Sequence, residues 1–183
     1  MAKMLVYLLS MTTLKTLLML CCLMAMSSAL VSADPKSQSL TVIGEIESVT
    51  LEKEKFQLLG RIDTGAQTSS ITALKIERYE RDGKKWVRFE VPNTTTKKRV
   101  LFERPLTRVA SIKRHGAPPV DRPVVSLLVS IGEIKCSCEF TLTDRSSYEF
   151  PVLIGRNFLS GRAVVDVSRK HITHPSSQGK SSK

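Results

Sequence analysis

Beyond residue 40, apolar and polar positions alternate with a period of two, in short runs broken by Gly, Pro, Asn and Asp. That period belongs to strands with one buried face. Residues 41–51 (TVIGEIESVTL) mix β-branched residues with acids and predict one strand with an exposed face; 52–55 (EKEK) turn it. Residues 56–62 predict a second strand, ending at Asp63. The runs 75–81 and 84–91 flank Asp82-Gly83, a strong hairpin signal, with Trp86, Val87 and Phe89 as its apolar contacts. After a Thr- and Asn-rich turn at 92–98, residues 99–102 and 106–112 predict short strands separated by Pro105, at an edge or a bend. Gly116, Pro118 and Pro119 mark 113–123 as a mobile loop. Residues 124–131 and 134–142 predict two strands joined at Gly132-Glu133; 143–150 form a polar loop, 151–154 a buried strand and 163–167 a last strand. Helical pattern is confined to a turn at 70–74 and a short helix starting in 155–159. Many short strands and no long helix, heptad or solenoid repeat predict an all-β fold, a closed barrel or sandwich with one short helix.

The N-terminus has a different texture. Residues 1–16 hold Lys3 and Lys15 and no acid, 17–26 are continuously apolar, and 27–33 are small and polar, ending Val31-Ser32-Ala33. This is the layout of a secretory signal cleaved after Ala33, and it predicts an exported protein, periplasmic or secreted. The alternative is an uncleaved membrane anchor over 4–31. A polar linker at 34–40, a domain over 41–168 and a frayed, basic, Ser-rich tail over 169–183 complete the division.

Lys3 and Lys15 carry +2 of the formal +11, leaving +9 on the exported part. A basic exported protein is drawn to anionic envelope surfaces. The basic residues are scattered and accompany no aromatic-rich motif, which argues against nucleic acid. Only Cys136 and Cys138 follow the signal, as C-x-C on one face of a strand. A strained disulfide, two thiols and an intermolecular bridge all remain open to them.

The candidate chemistry lies in residues 60–71 (GRIDTGAQTSSI). Asp63 ends an apolar strand just before a Gly. Gly65 permits a positive φ or the close approach of a second chain, and the Thr64 hydroxyl can fix the turn. The plain reading is a strand closed by an Asx-type turn; the other is half of a carboxylate dyad.

A second motif separates the two. Val152-Leu153-Ile154-Gly155-Arg156-Asn157-Phe158-Leu159 follows far downstream of Asp63-Thr64-Gly65-Ala66, and the pair resembles a retropepsin-type aspartic protease. With the F-E-V run and Leu142–Ser146 (LTDRS), the pattern is similar to a bacterial retropepsin-like family often labelled an ATP-dependent zinc protease. The likeness covers residues 42–167 and implies a retropepsin-like barrel with Asp63 catalytic. It implies loop support from Thr64, Gly65 and Ala66, with Thr64 bracing a partner loop, and a buttress from Gly155, Arg156 and Asn157. The chemistry needs two facing carboxylates sharing one proton. Asp121, Asp144 and Asp166 lack the following Thr/Ser-Gly, so the second carboxylate must come from another copy, in a symmetric homodimer. The 75–102 hairpin accounts for the long spacing between motifs, and 115–119 is the candidate flap tip.

The residues give the zinc and ATP labels little support: neither H-E-x-x-H nor G-x-x-x-x-G-K-S/T occurs. Cys136, Cys138, His171 and His174 are a minor zinc set, and no metal or cofactor is expected. The expected function is an exported aspartic endopeptidase acting on protein or peptide. The alternatives are a non-catalytic module of the same fold binding peptide or anionic envelope components and, more remotely, a zinc protease.

Overall fold

The computed structural model describes residues 39–93, 97–114 and 116–173. The signal or anchor, most of the linker, His115, His174 and the end of the tail lie outside them. Among the described residues, twelve strands and one four-residue helix follow the expected all-β pattern. The first expected strand is two, β1 (Thr41–Gly44) and β2 (Ile46–Leu51), divided at Glu45. β3 (Phe56–Ile62) alternates buried and exposed along its whole length, as its sequence predicts.

The expected helical turn at 70–74 is instead strand. β4 (Ser69–Thr72) pairs in parallel with β10 (Ile134–Thr143) and antiparallel with β11 (Val152–Ile154), so all four of its residues are buried. A four-residue segment has too little periodicity to reveal neighbours on both sides. β9 (Ala117–Ile131) pairs with β10 and β2, and the order β10-β4-β11-β3-β2-β9 returns to β10. The sheet is therefore a closed barrel, with β8 (Arg108–Arg114) added along β9.

β8 and β9 also correct the mobile loop expected at 113–123. They form a hairpin that turns near Gly116, whose φ is +68°. Pro118, Pro119 and Pro123 lie where β9, among the described residues, is laddered to β8 and not to β10, a stretch that tolerates missing N–H donors.

β5 (Leu74–Arg81), β6 (Lys84–Pro92) and β7 (Arg99–Pro105) form a separate three-stranded sheet. Asp82 and Gly83 both take positive φ, 52° and 68°, at its first turn, which supplies the twist a two-residue hairpin loop needs. Phe89 and Phe102, fully buried and stacked at 5.2 Å, join this sheet to the barrel core. β12 (Ala163–Asp166) pairs in parallel with β1 and follows the helix, α1 (Arg156–Leu159).

Residues 169–173, expected to fray, are held against the barrel. The Glu45 amide donates to Arg169 O at 2.9 Å and the His171 amide to Ile46 O at 2.8 Å. Glu47, only 1% exposed, accepts from the amides of Gly44, Ile172 and Thr173 and from the Thr173 hydroxyl. Burial raises the pKa of this carboxyl, but the bonds from Thr173, Gly44 and Ile172 outweigh burial and hold it below the ordinary value. A lowered native value adds stability that is complete above the unfolded pKa and lost as pH falls through the folded one. Glu47→Gln should therefore lower the melting temperature at pH 7, and the gap from the parent protein should narrow as pH falls below about 4.3. A gap independent of pH would show that the carboxylate charge is not what holds the strap.

Candidate active site

β11 lies between β3 and β4, parallel to the first and antiparallel to the second. The chain between β3 and β4, residues 63–68, must therefore pass over the end of β11. That crossing fixes Asp63. Its amide donates to Ile154 O at 2.9 Å, and its Oδ1 accepts from the amides of Gly65 at 3.0 Å and Ala66 at 3.1 Å. The turn is thus closed by the carboxylate itself. Oδ2 receives no hydrogen bond from the described residues.

Two expectations change here. No hydrogen bond of the Thr64 hydroxyl occurs among the described residues, so that group does not fix the turn. Gly65 does not have positive φ, and a Cβ on it would meet only Asp63 Oδ1, at 3.2 Å. Thr64 and Gly65 both face outward, as open surface beside the carboxylate.

The second motif packs directly beneath. The Arg156 and Asn157 amides donate to Ala66 O at 2.8 Å and Gln67 O at 3.1 Å. Arg156 Nη1 reaches Thr64 O at 2.9 Å and Gly65 O at 2.8 Å, two carbonyls on the loop's outer side. Asn157 Oδ1 accepts from the Ser69 amide and hydroxyl, its Nδ2 donates to Glu139 O, and Ser69 Oγ accepts from the Gly155 amide. Gly155 is required by close approach: a Cβ there would stand 2.9 Å from Ala66 O and 3.1 Å from Ser69 N. Asp63, Thr64, Gly65, Ala66, Gly155, Arg156 and Asn157, from motifs about ninety residues apart, are thus one hydrogen-bonded unit. Ser69 and Glu139 complete it. Ser69 falls inside the 60–71 stretch of the family pattern, whereas Glu139, contributing through its backbone O, carries no local signal of such a role.

A groove of about 640 Å³ runs beside the loop. One wall is residues 66–68 of the loop and Ser70; the other is β8 with Arg122 of β9. The hairpin whose turn was read as the flap tip thus contributes the facing wall, though Asp63 itself does not line the groove. Two residues of its lining hold buried polar atoms, Ser70 Oγ and Arg122 Nε, without a hydrogen-bond partner among the described residues. Arg145, 7% exposed, also lines it; its Nε donates to Phe150 O and its guanidinium stacks 4.4 Å over Tyr148. Burial lowers the Arg145 pKa; Tyr148 opposes this, Arg122 adds to it, and Asp63 opposes it. The guanidinium nonetheless stays charged at any working pH. Arg108, at the same wall, pairs with Glu139 at 2.7 Å and reaches the Thr68 hydroxyl. Along the chain Arg145 stands out only within the Leu142–Ser146 pattern, and Arg108 and Arg122 not at all, because scattered charges gain meaning only when strands bring them together.

Among the described residues, no three His, Cys, Asp or Glu side chains stand together to hold a metal ion. The minor zinc set therefore gains no support from Cys136, Cys138 and His171; its fourth member, His174, is not described.

Comparison with known proteins adds three findings. The model of the RimB-like family, described as retropepsin-like aspartic endopeptidase RimB, matches residues 42–176. Proteins named probable alpha-L-glutamate ligase are similar over part of their length. Those of Shewanella pealeana and Desulfotalea psychrophila are 32% identical over 110 and 108 residues, which is 59% and 58% of this chain. The chain spans about a quarter of the length of these relatives, 24% and 23%. A crystal structure of a Legionella pneumophila protein of unknown function is 28% identical, with a TM-score of 0.64 over 73% of this chain and 98% of that one.

Proposed function

The chain belongs to the RimB-like family of retropepsin-like aspartic endopeptidases, and on that premise we propose that it hydrolyses peptide bonds as a homodimer, Asp63 of each copy supplying half of the catalytic dyad. The carrying observation is the half-built site: a carboxylate rigidly mounted through Oδ1, with Oδ2 unengaged among the described residues and Thr64, Gly65 and Arg156 facing outward beside it. When two such loops meet, the facing carboxylates share one proton. The ionised member takes a proton from water as the water attacks the peptide carbonyl, and the protonated member polarises that carbonyl. A second copy also suits the outer face of β1 and β12, where the neighbours Val42 and Val164 are about half exposed, at 50% and 49%. Export through residues 1–33 is part of the same proposal.

The groove supports a substrate with acidic side chains. Buried donors without partners cost about 1–3 kcal/mol each; Ser70 Oγ and Arg122 Nε lack a hydrogen-bond partner among the described residues, and they belong to the same lining as the buried Arg145. A carboxylate entering there meets the guanidinium charges of Arg122 and Arg145. The similarity to part of proteins named glutamate ligases supports glutamate-rich chains as that substrate; the ligase chemistry of those much longer proteins is not carried over. Arg122→Gln should lower kcat/KM on a glutamate-rich peptide by about 10–100-fold and leave a matched glutamine-rich peptide unaffected. Equal cleavage of the two peptides by the parent protein would contradict this substrate class.

A further inference from the structure

Cys136 and Cys138 are two residues apart on β10, so both side chains leave the same face of the strand, toward the core. Neither is in a disulfide; Cys138 is buried and Cys136 half-buried. Cys136 Sγ donates to Ser137 O at 3.5 Å, and the Cys138 thiol lies one strand repeat further along the same face. Burial pushes the Cys138 thiol up to about 12, with Cys136 adding to the rise and Arg162 and Ser69 opposing it.

A strand spaces such neighbours about 6.6–6.8 Å apart at Cα, the outer limit for a disulfide. Two sulfur–metal bonds set in line, each about as long as the roughly 2.3 Å of a zinc thiolate, would hold the sulfurs about 4–5 Å apart and ask for no contraction of the strand. With no third ligating side chain grouped with the pair among the described residues, the site suits a soft cation content with two thiolates. Of the common biological metals, Cu(I) has that preference.

We propose that Cys136 and Cys138 bind one Cu(I) ion in two-coordinate fashion. Two S–H bonds break and two S–Cu bonds form. Two protons leave, no electron is transferred, and the bis-thiolate complex carries one negative charge. Arg162 supplies the opposite charge: its guanidinium is fixed close by through Nη1, which donates to Phe158 O and Ser160 O. Cys138 also neighbours Ser69, whose hydroxyl joins Asn157 to Gly155 under the Asp63 loop.

The test uses the full chain carrying Cys21→Ser and Cys22→Ser, which removes the two other cysteines, titrated without oxygen with Cu(I) held by bicinchoninate. One equivalent should transfer to the protein, with thiolate-to-copper absorption in the ultraviolet and release of about two protons at pH 7. Adding Cys136→Ser should weaken the affinity at least about a hundredfold while circular dichroism stays unchanged. Cys138→Ala, made alongside as an independent variant, should do the same. No transfer from bicinchoninate would overturn the proposal, as would undiminished binding by either folded variant.

Discussion

Asp63→Asn is expected to lower turnover by about 10²–10⁴-fold, the contribution typical of a positioned acid–base group, while leaving the protein folded. Asparagine keeps an Oδ1 that can accept from the Gly65 and Ala66 amides, so the turn retains both of its bonds. It cannot share a proton with a facing carboxylate, so the chemistry goes and the mount stays. Asp63→Ala separates the two roles. It removes the side-chain acceptor of both amides and should cost stability as well, about 0.5–1.5 kcal/mol for each bond lost, because the Gly65 amide is open to solvent and Ala66 N keeps Asp63 O at 3.3 Å. Turnover on an acidic peptide and melting temperature, measured on both variants, check the pair. An Asn variant that still cleaves would mean that another group performs the hydrolysis.

Gly155→Ala should have the second-largest effect, and by a different route. The added methyl would stand 2.9 Å from Ala66 O, 3.0 Å from Thr68 C and 3.1 Å from Ser69 N, all backbone atoms of the segment that carries Asp63. Backbone cannot rotate away as a side chain end would, so the loop must lift from α1. Overpacking of this kind costs about 1–3 kcal/mol, and an error of about 1 Å in a catalytic group costs about 10²-fold in rate. Gly65→Ala is the informative contrast. Its methyl meets only Asp63 Oδ1, at 3.2 Å, so thermal stability should be little changed while activity falls through crowding of the carboxylate and of the surface assigned to the partner. If the two variants lost stability equally, the rigid mount beneath the loop would not be what holds Asp63.

Much of this site could be read along the chain. Asp63-Thr64-Gly65-Ala66 and Gly155-Arg156-Asn157 each occupy a few consecutive residues, and β3 and the hairpin at Asp82-Gly83 carry plain alternation and turn chemistry. What escaped depends on contacts across long separations. β4 looked helical because its partners β10 and β11 lie far along the chain. The proline-rich 117–123 segment looked like a loop because tolerance of proline depends on which strand edge is free. Residues 169–173 looked frayed because their anchor, Glu47, lies more than 120 residues earlier and reads locally as one more exposed acid. The roles of Arg122 and Arg145 likewise arise only when β9 and the 143–150 loop close on the Asp63 loop.

The dyad across a two-fold axis is tested most directly by mixing subunits. Parent protein and the Asp63→Asn variant are combined in varying proportion, exchanged to equilibrium at constant total concentration, and assayed on one peptide. If each active site takes one Asp63 from each copy, only dimers with two parent subunits cleave. Activity then follows the square of the parent fraction, about one quarter of full at an equal mixture. Activity that falls in direct proportion to the parent fraction, one half at an equal mixture, would mean that each subunit works alone and would contradict the shared site.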